Sequence, residues 1–206
     1  MGTHGKHHDK RFHHGHAHKL DDPERHTWLP TADVIARLSL RPGMAVADIG
    51  AGTGYFALPM AEAVSPGGHV AAVDVQPEML ALLRERVREQ PRRSPITLVA
   101  GEAARTTLEG ASQDVVFAAN VWHELDDRSA ALAELARITR PSGLLAILDF
   151  RADAERPPGP PPELRLAASD VAAEVAASGS FGAVTAELIG RYSYLVLATR
   201  VDRPHA

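Results

Sequence analysis

The chain contains no cysteine among its 206 residues. That excludes a disulfide framework, a thiolate nucleophile and a cysteine-liganded metal, and it neither requires nor rules out a reducing compartment. There is no excess of positive charge either: 22 Lys and Arg against 26 Asp and Glu give a formal net charge of −4. An overall field that would attract nucleic acid or anionic lipid is therefore missing, and neither is expected as a partner. Long apolar runs are absent as well. No segment approaches the roughly 18 uninterrupted apolar residues of a membrane span. Residues 1–19 are polar and rich in histidine, so the expected location is the cytoplasm.

What is present suffices for a folded core. A hydrophobic fraction of 45% over 206 residues suits one α/β domain with a short N-terminal extension. Apolar runs alternate with helical patterns from about Ala32 onward, the βαβ signature of a mainly parallel sheet covered on both faces. Strands are predicted over residues 44–49, 69–75, 96–100, 114–119 and 144–150. Helices are predicted over 32–38, 54–64, 77–89 and 128–139. Pro77 suits the first turn of its helix, where its missing N–H has no partner to lose. Pro91 breaks the pattern, and residues 102–111 read as mostly loop. Pro141-Ser-Gly143 is expected to stop the fourth of these helices, and the proline-rich stretch 156–162 is the clearest internal linker. Ser169 is the expected cap of a last helix through about Ala177. Two further runs, 183–189 and 192–201, are separated only by Gly190-Arg191. A link this short permits antiparallel pairing and no parallel crossover, so the sheet should end in a hairpin.

The chemistry concentrates after the first strand, in Asp48-Ile-Gly-Ala-Gly-Thr-Gly54. Three glycines on alternate positions let the backbone turn sharply and approach a ligand. Tyr55 stands where a G-x-G-x-x-G dinucleotide fingerprint has its third glycine, which disfavours a pyrophosphate. Asp48 would repel a phosphate but attract a cation such as an amino group or a sulfonium. Asp74, ending the next strand, lies where a ribose diol needs an acceptor.

These residues resemble the first motif of class I S-adenosylmethionine-dependent methyltransferases, and Val73-Asp74 resembles the acidic end of their second strand. Within that superfamily the chain is most similar to the small ubiquinone-biosynthesis-like, or type 11, methyltransferases, through Val115-Val-Phe-Ala-Ala-Asn-Val-Trp-His-Glu-Leu125. The resemblance covers nearly the whole chain. It implies a Rossmann-like three-layer sandwich whose seven-stranded, mostly parallel sheet ends in an antiparallel hairpin. The implied domain organisation is a flexible tail over 1–19, a strap or lid with the first helix over 20–43, and the cofactor-binding domain over 44–206.

By that resemblance S-adenosylmethionine is the cofactor. Gly50, Ala51, Gly52, Gly54 and Tyr55 would pack under its methionine part, with Asp48 beside them. Asp74 would accept from the ribose hydroxyls, and Val75, Gln76 and Met79 would flank the adenine. Gly101 and Glu102 would lie near the adenine amine, and Asn120, Val121 and Trp122 would border the methyl group. Glu102 reads equally well as a solvated loop acid.

His123 and Glu124 form a titratable pair next to that position. A histidine titrates near neutrality and suits proton removal from an acceptor. Base catalysis is not obligatory, because a sulfonium is already a good leaving group and alignment of the nucleophile can supply most of the acceleration. The expected function is methyl transfer by in-line displacement to a small-molecule acceptor, by a monomer or homodimer. The alternatives are an NAD-dependent oxidoreductase, and a non-catalytic metal-binding protein on the same fold.

The second alternative is motivated by the tail, which holds His4, His7, His8, His13, His14, His16 and His18. A polar segment without fixed geometry favours adventitious chelation, so no dedicated metal site is expected. Asp21-Asp-Pro-Glu-Arg-His-Thr-Trp-Leu-Pro30 carries the apolar anchors Trp28 and Leu29. It reads as a lid over the cofactor or as a surface strap covering the domain edge.

Overall fold

The computed structural model describes residues 14–22, 24–89, 94–154 and 158–201. His4, His7, His8 and His13, the break at Pro91 and the first residues of the proline-rich linker lie outside the described residues.

Seven strands form one sheet in the order β3-β2-β1-β4-β5-β7-β6. They are β1 (Ala45–Ile49), β2 (His69–Asp74), β3 (Ile96–Ala100), β4 (Gln113–Ala119), β5 (Thr139–Phe150), β6 (Phe181–Ile189) and β7 (Ser193–Arg200). β1 pairs in parallel with both β2 and β4, while β7 runs antiparallel to both β5 and β6. Six strands are thus parallel, and the predicted terminal hairpin is β6–β7. The chain order reverses about β1, which leaves a crevice beyond the carboxyl ends of β1 and β4.

Helices cover both faces: α1 (Arg25–Trp28), α2 (Thr31–Arg37), α3 (Ala57–Ala63), α4 (Pro77–Glu89), α5 (Arg128–Ile138) and α6 (Ala168–Ala177). β1 is buried throughout and divides its side chains between two cores, as the period of a strand requires. Val46 joins Val34, Met60 and Leu83 on one face, and Ala47 and Ile49 join Leu135, Val171 and Tyr194 on the other. Asp127 caps α5 by accepting from the Ala130 N–H at 2.8 Å. Among the described residues no helix is long and apolar enough to cross a membrane.

Several boundaries differ from expectation for local reasons. β5 begins at Thr139 rather than Leu144. The ladder with β4 continues past Pro141-Ser-Gly143 because those residues form a bulge, with Ser142 at φ +61°. α6 starts at Ala168 behind Ala167, which has no polar side chain to cap it, and Ser169 lies inside the first turn with its hydroxyl donating to Asp170 at 3.4 Å. α3 starts at Ala57, since the glycine turn extends to Phe56. The segment expected to be a free tail up to residue 19 includes a 3₁₀ helix, His14–Asp21, that runs across the expected boundary at residue 20.

Candidate active site

After β1 the chain turns so tightly that the N–H groups of Gly50 and Ala51 both donate to the Val73 carbonyl, at 2.8 and 3.0 Å. Gly50, Gly52 and Gly54 have φ of +71°, +54° and +89°, the left-handed region that other residues enter only with strain. Two of the three are also fixed by packing. A Cβ on Gly50 would lie 2.2 Å from Val121 Cγ2, and one on Gly54 would lie 2.3 Å from Leu83 Cδ1. At Gly52 the nearest atom is Leu20 Cδ1 of the N-terminal 3₁₀ helix, 3.4 Å away.

Asp74 ties this turn to the next helix. Its Oδ2 accepts from the Gly52 N–H and its Oδ1 from the Gln76 N–H, both at 2.8 Å. Each oxygen keeps another lone pair for a diol. Burial pushes the Asp74 carboxyl above its usual range, against the pull of those backbone donors. Gly101 donates to the Asp74 carbonyl at 3.1 Å, so the end of β3 is registered on the same residue. Val75 is exposed at the rim and Met79 is buried behind it. The Gln76 side chain accepts from the His14 N–H at 3.0 Å. The Glu102 side chain is exposed, and its backbone forms a β-bridge with Arg105.

Asp48 is 2% exposed, and its Oδ2 has no hydrogen-bond partner. Burial and then the neighbouring Asp74 charge raise its carboxyl from 3.8 to about 7, opposed by the Ala57 N–H and by Arg25. Two acids facing the same turn form a cation-seeking site.

The strap lies above that turn. Tyr55 donates its hydroxyl to the Leu29 carbonyl at 2.7 Å and stacks on His26, while the Arg25 guanidinium sits 4.0 Å from the centre of the Tyr55 ring. Sequence reasoning overlooked Arg25. The signal available was a lone arginine beside the apolar anchors of the strap.

At the end of β4, Asn120 takes φ +57° and its buried Oδ1 has no partner, while Val121 packs on Gly50. The Trp122 side chain packs on the α5 and α6 side of the sheet. It is fully buried with α5 and α6 and donates from Nε1 to Glu174 at 3.3 Å, while Arg128 grips the same carboxylate with two nitrogens.

This network anchors the 3₁₀ turn Trp122–Glu124 from behind. His123, on that turn, meets Asp149 from the end of β5. Asp149 accepts from the His123 ring Nδ1 at 2.8 Å, from its backbone N–H at 3.0 Å and from the Phe150 N–H at 2.8 Å. With Nδ1 donating, Nε2 is the nitrogen left to accept a proton. It lies 3.8 Å from Glu124 Oε1. Burial opposes charging of the ring, but the hydrogen bond and charge of Asp149, helped by Glu124 and opposed by Arg165, hold His123 above its ordinary value. Asp149 was missed from sequence although it is the only polar residue in Leu144-Leu-Ala-Ile-Leu-Asp-Phe150. The Phe150 ring lies 6.0 Å from the His123 ring and 6.2 Å from the Trp28 ring, so aromatic walls border this side. Among the described residues no group of three or more metal-ligating side chains comes together.

A family model described as a methyltransferase domain matches residues 47–147. The ubiquinone/menaquinone biosynthesis C-methyltransferase UbiE of Burkholderia cenocepacia is 34% identical over 119 residues, which make up 58% of this chain and 48% of that protein. The chain thus spans about half the length of the curated relatives it matches. A SAM dependent methyltransferase from Aquifex aeolicus superposes with a TM-score of 0.84 and 31% identity, over 93% of this chain and 100% of that one. A putative S-adenosylmethionine-dependent methyltransferase from Methanococcus maripaludis, at 16% identity and TM-score 0.72 over 99% of each chain, shares the fold.

Proposed function

The chain belongs to the S-adenosylmethionine-dependent methyltransferases, and from that premise we propose that it binds S-adenosylmethionine in the crevice at the ends of β1, β2 and β4 and methylates a small-molecule acceptor. The observation that carries the reading is the buried Asp48 carboxylate with an unpartnered oxygen beside a glycine turn. A cationic ligand answers that oxygen; a pyrophosphate would be repelled by it. The residues fit the cofactor in three further respects: the left-handed glycines fold the backbone tightly beside Asp48, Asp74 presents both oxygens at the edge of the turn, and Val75 offers exposed apolar surface to a base.

When bound, the cofactor supplies a methyl group on a positively charged sulfur, which departs as a neutral thioether when a nucleophile attacks in line. The chain's own contribution is placement and proton removal. Gly50 to Gly54 and Asp48 hold the amino-acid end, Asp74 the ribose, and Val75, Gln76, Met79, Gly101 and Glu102 border the adenine. Asn120 and Val121 set the edge nearest the acceptor. There His123 Nε2 takes the proton that the acceptor's oxygen, nitrogen or carbon must lose, and Asp149 fixes the ring for that task. The aromatic rings of Phe150 and Trp28 exclude water and favour a compact, partly apolar acceptor.

Calorimetry with S-adenosylhomocysteine and with NAD tests the reading. Binding of the first at micromolar or better affinity, with no binding of the second, is the expected result; preference for NAD would overturn it.

A further inference from the structure

Arg165 is a buried cation to which methyl transfer, as derived above, gives no task. It follows the 3₁₀ turn Pro162–Leu164 in the proline-rich connection, yet it is only 8% exposed. Its Nε and Nη2 both donate to the Pro160 carbonyl, at 2.9 and 2.6 Å, and its Nη1 donates to the Ala154 carbonyl at 3.4 Å. Each terminal nitrogen carries a pair of hydrogens, so each keeps one without an acceptor. Among the described residues no carboxylate pairs with this guanidinium; Glu163, the nearest acid in sequence, is exposed and forms no ion pair with it. A buried full charge held by carbonyl dipoles alone is costly until an anion completes it.

The cation stands in the wall beside the imidazole. Gly159, which precedes the carbonyl that Arg165 grips with two nitrogens, is pressed onto Phe150: a Cβ there would lie 2.5 Å from Phe150 Cε1. The Phe150 ring in turn borders the His123 and Trp28 rings. Ala154, the other acceptor, lies just after β5, so Arg165 staples together both ends of the loop that leaves β5 next to His123. Its opposition to charging of His123 agrees with that placement. Of the neighbouring cations, Arg151 is paired with Asp153 and Arg191 is exposed over the Tyr192 ring. The charged groups against the imidazole are the acids Asp149 and Glu124. Arg165 can therefore neutralise an anion of single charge, whereas a phosphate dianion would bring a surplus that those acids repel.

We infer that Arg165 binds a carboxylate of the methyl acceptor, so that the acceptor is a compact, partly apolar carboxylic acid whose reacting atom is presented to His123. This rests on the methyltransferase reading proposed above and adds to it a substrate class and a specificity-determining residue. A guanidinium fork matches the two oxygens of a carboxylate, and the Phe150 and Trp28 rings meet the apolar remainder. The bonds to Pro160 and Ala154 hold the guanidinium in place before the acceptor arrives, so binding need not immobilise it.

The test titrates benzoate and its neutral isostere benzamide into the full chain saturated with S-adenosylhomocysteine, followed by NMR of the backbone amides. Benzoate should shift the Phe150 and Ala154 resonances and bind about 10- to 100-fold more tightly than benzamide, the gain expected for one charge-assisted contact. Arg165→Gln should reduce benzoate to the affinity of benzamide while leaving S-adenosylhomocysteine binding unchanged, and Arg165→Lys, which keeps the charge without the fork, should recover part of the difference. Inorganic phosphate should not displace benzoate. The wild-type comparison and Arg165→Lys still decide the matter if Arg165→Gln fails to fold. Equal affinity of the wild type for benzoate and benzamide, including no measurable binding of either, would overturn the assignment, as would undiminished benzoate binding in Arg165→Gln or displacement by phosphate. Failure of the wild type to bind S-adenosylhomocysteine would instead sink the cofactor reading itself.

Discussion

Asp149 receives both the backbone N–H and the ring Nδ1 of His123, at 3.0 and 2.8 Å, so one carboxylate fixes the position and the orientation of the imidazole. The pair joins the ends of β5 and β4, neighbours in the sheet that are 26 positions apart in sequence.

If His123 removes the acceptor's proton, His123→Ala should lower turnover by about 10²- to 10⁴-fold while S-adenosylhomocysteine affinity stays within about twofold. Because the ring's folded pKa lies above 6.5, turnover should rise with pH through a midpoint above that value. Asp149→Asn should move the His123 midpoint downward in an NMR titration of the ring. A midpoint unmoved by Asp149→Asn would show that the carboxylate does not govern the imidazole.

Asp48 makes a prediction that needs no acceptor. Its folded value of about 7 lies above the ordinary 3.8, so its contribution to stability is complete below 3.8 and is lost as pH rises through about 7. Binding a cation beside it demands the charged form. Cofactor affinity should therefore weaken as pH falls below about 7, with release of a proton near pH 6, seen in calorimetry as an enthalpy that depends on the buffer. Asp48→Asn should raise the melting temperature at pH 8, weaken cofactor binding and abolish the proton release.

Asp74→Ala removes the acceptor for the Gly52 and Gln76 amides together with the proposed ribose contact. Cofactor affinity should fall by about 1–3 kcal/mol. Unchanged affinity for S-adenosylhomocysteine in the folded variant would remove Asp74 from the site.

Gly50→Ala combines a left-handed φ of +71° with a Cβ 2.2 Å from Val121 Cγ2. The substitution should destabilise the protein and disturb cofactor binding. Adding Val121→Ala should recover the steric part and leave roughly 1–2 kcal/mol of backbone strain, measurable by urea unfolding.

Glu134 accepts from the Thr106 N–H and hydroxyl at 2.8 and 2.6 Å and pairs with Arg137 at 2.7 Å. The Arg137 hydrogen bond leads in holding its carboxyl at about 2, against the ordinary 4.5. The associated stability is present above 4.5 and is lost as pH falls through about 2. Glu134→Gln should cost about 1–2 kcal/mol at pH 7, discounted for the exposure of Arg137, and almost nothing at pH 2. Equal stability of variant and wild type at pH 7 would refute it.

The parts of the site that could be read from sequence are those made by neighbouring residues. Asp48 ends one strand just before the glycine turn, and Asp74 follows at the end of the adjacent strand, so their placement depends only on one βαβ unit. What escaped depends on distant contacts. Asp149 matters because β5 lies beside β4, and Arg25 matters because the strap folds back onto Tyr55. Trp122 could be placed near the site by position, but its direction was decided by Glu174 on α6. The same holds for the fold. The hairpin followed from a two-residue link, whereas Pro141-Ser-Gly143 has the chemistry of a stop signal and became a bulge, because β4 continued to supply a partner. Ser169 lost its capping role because the helix begins at Ala168, which puts Ala167 at the cap and Ser169 inside the first turn.

Asp74 already holds two backbone amides before any ligand arrives, and its carboxylate is therefore set in place when the chain folds rather than when the ribose docks. The entropy of fixing that side chain is subtracted once from folding and never again from each binding event. Affinity at this position should then depend little on local rigidity that the ligand must impose, and the unliganded protein should show an Asp74 as ordered as that of the complex.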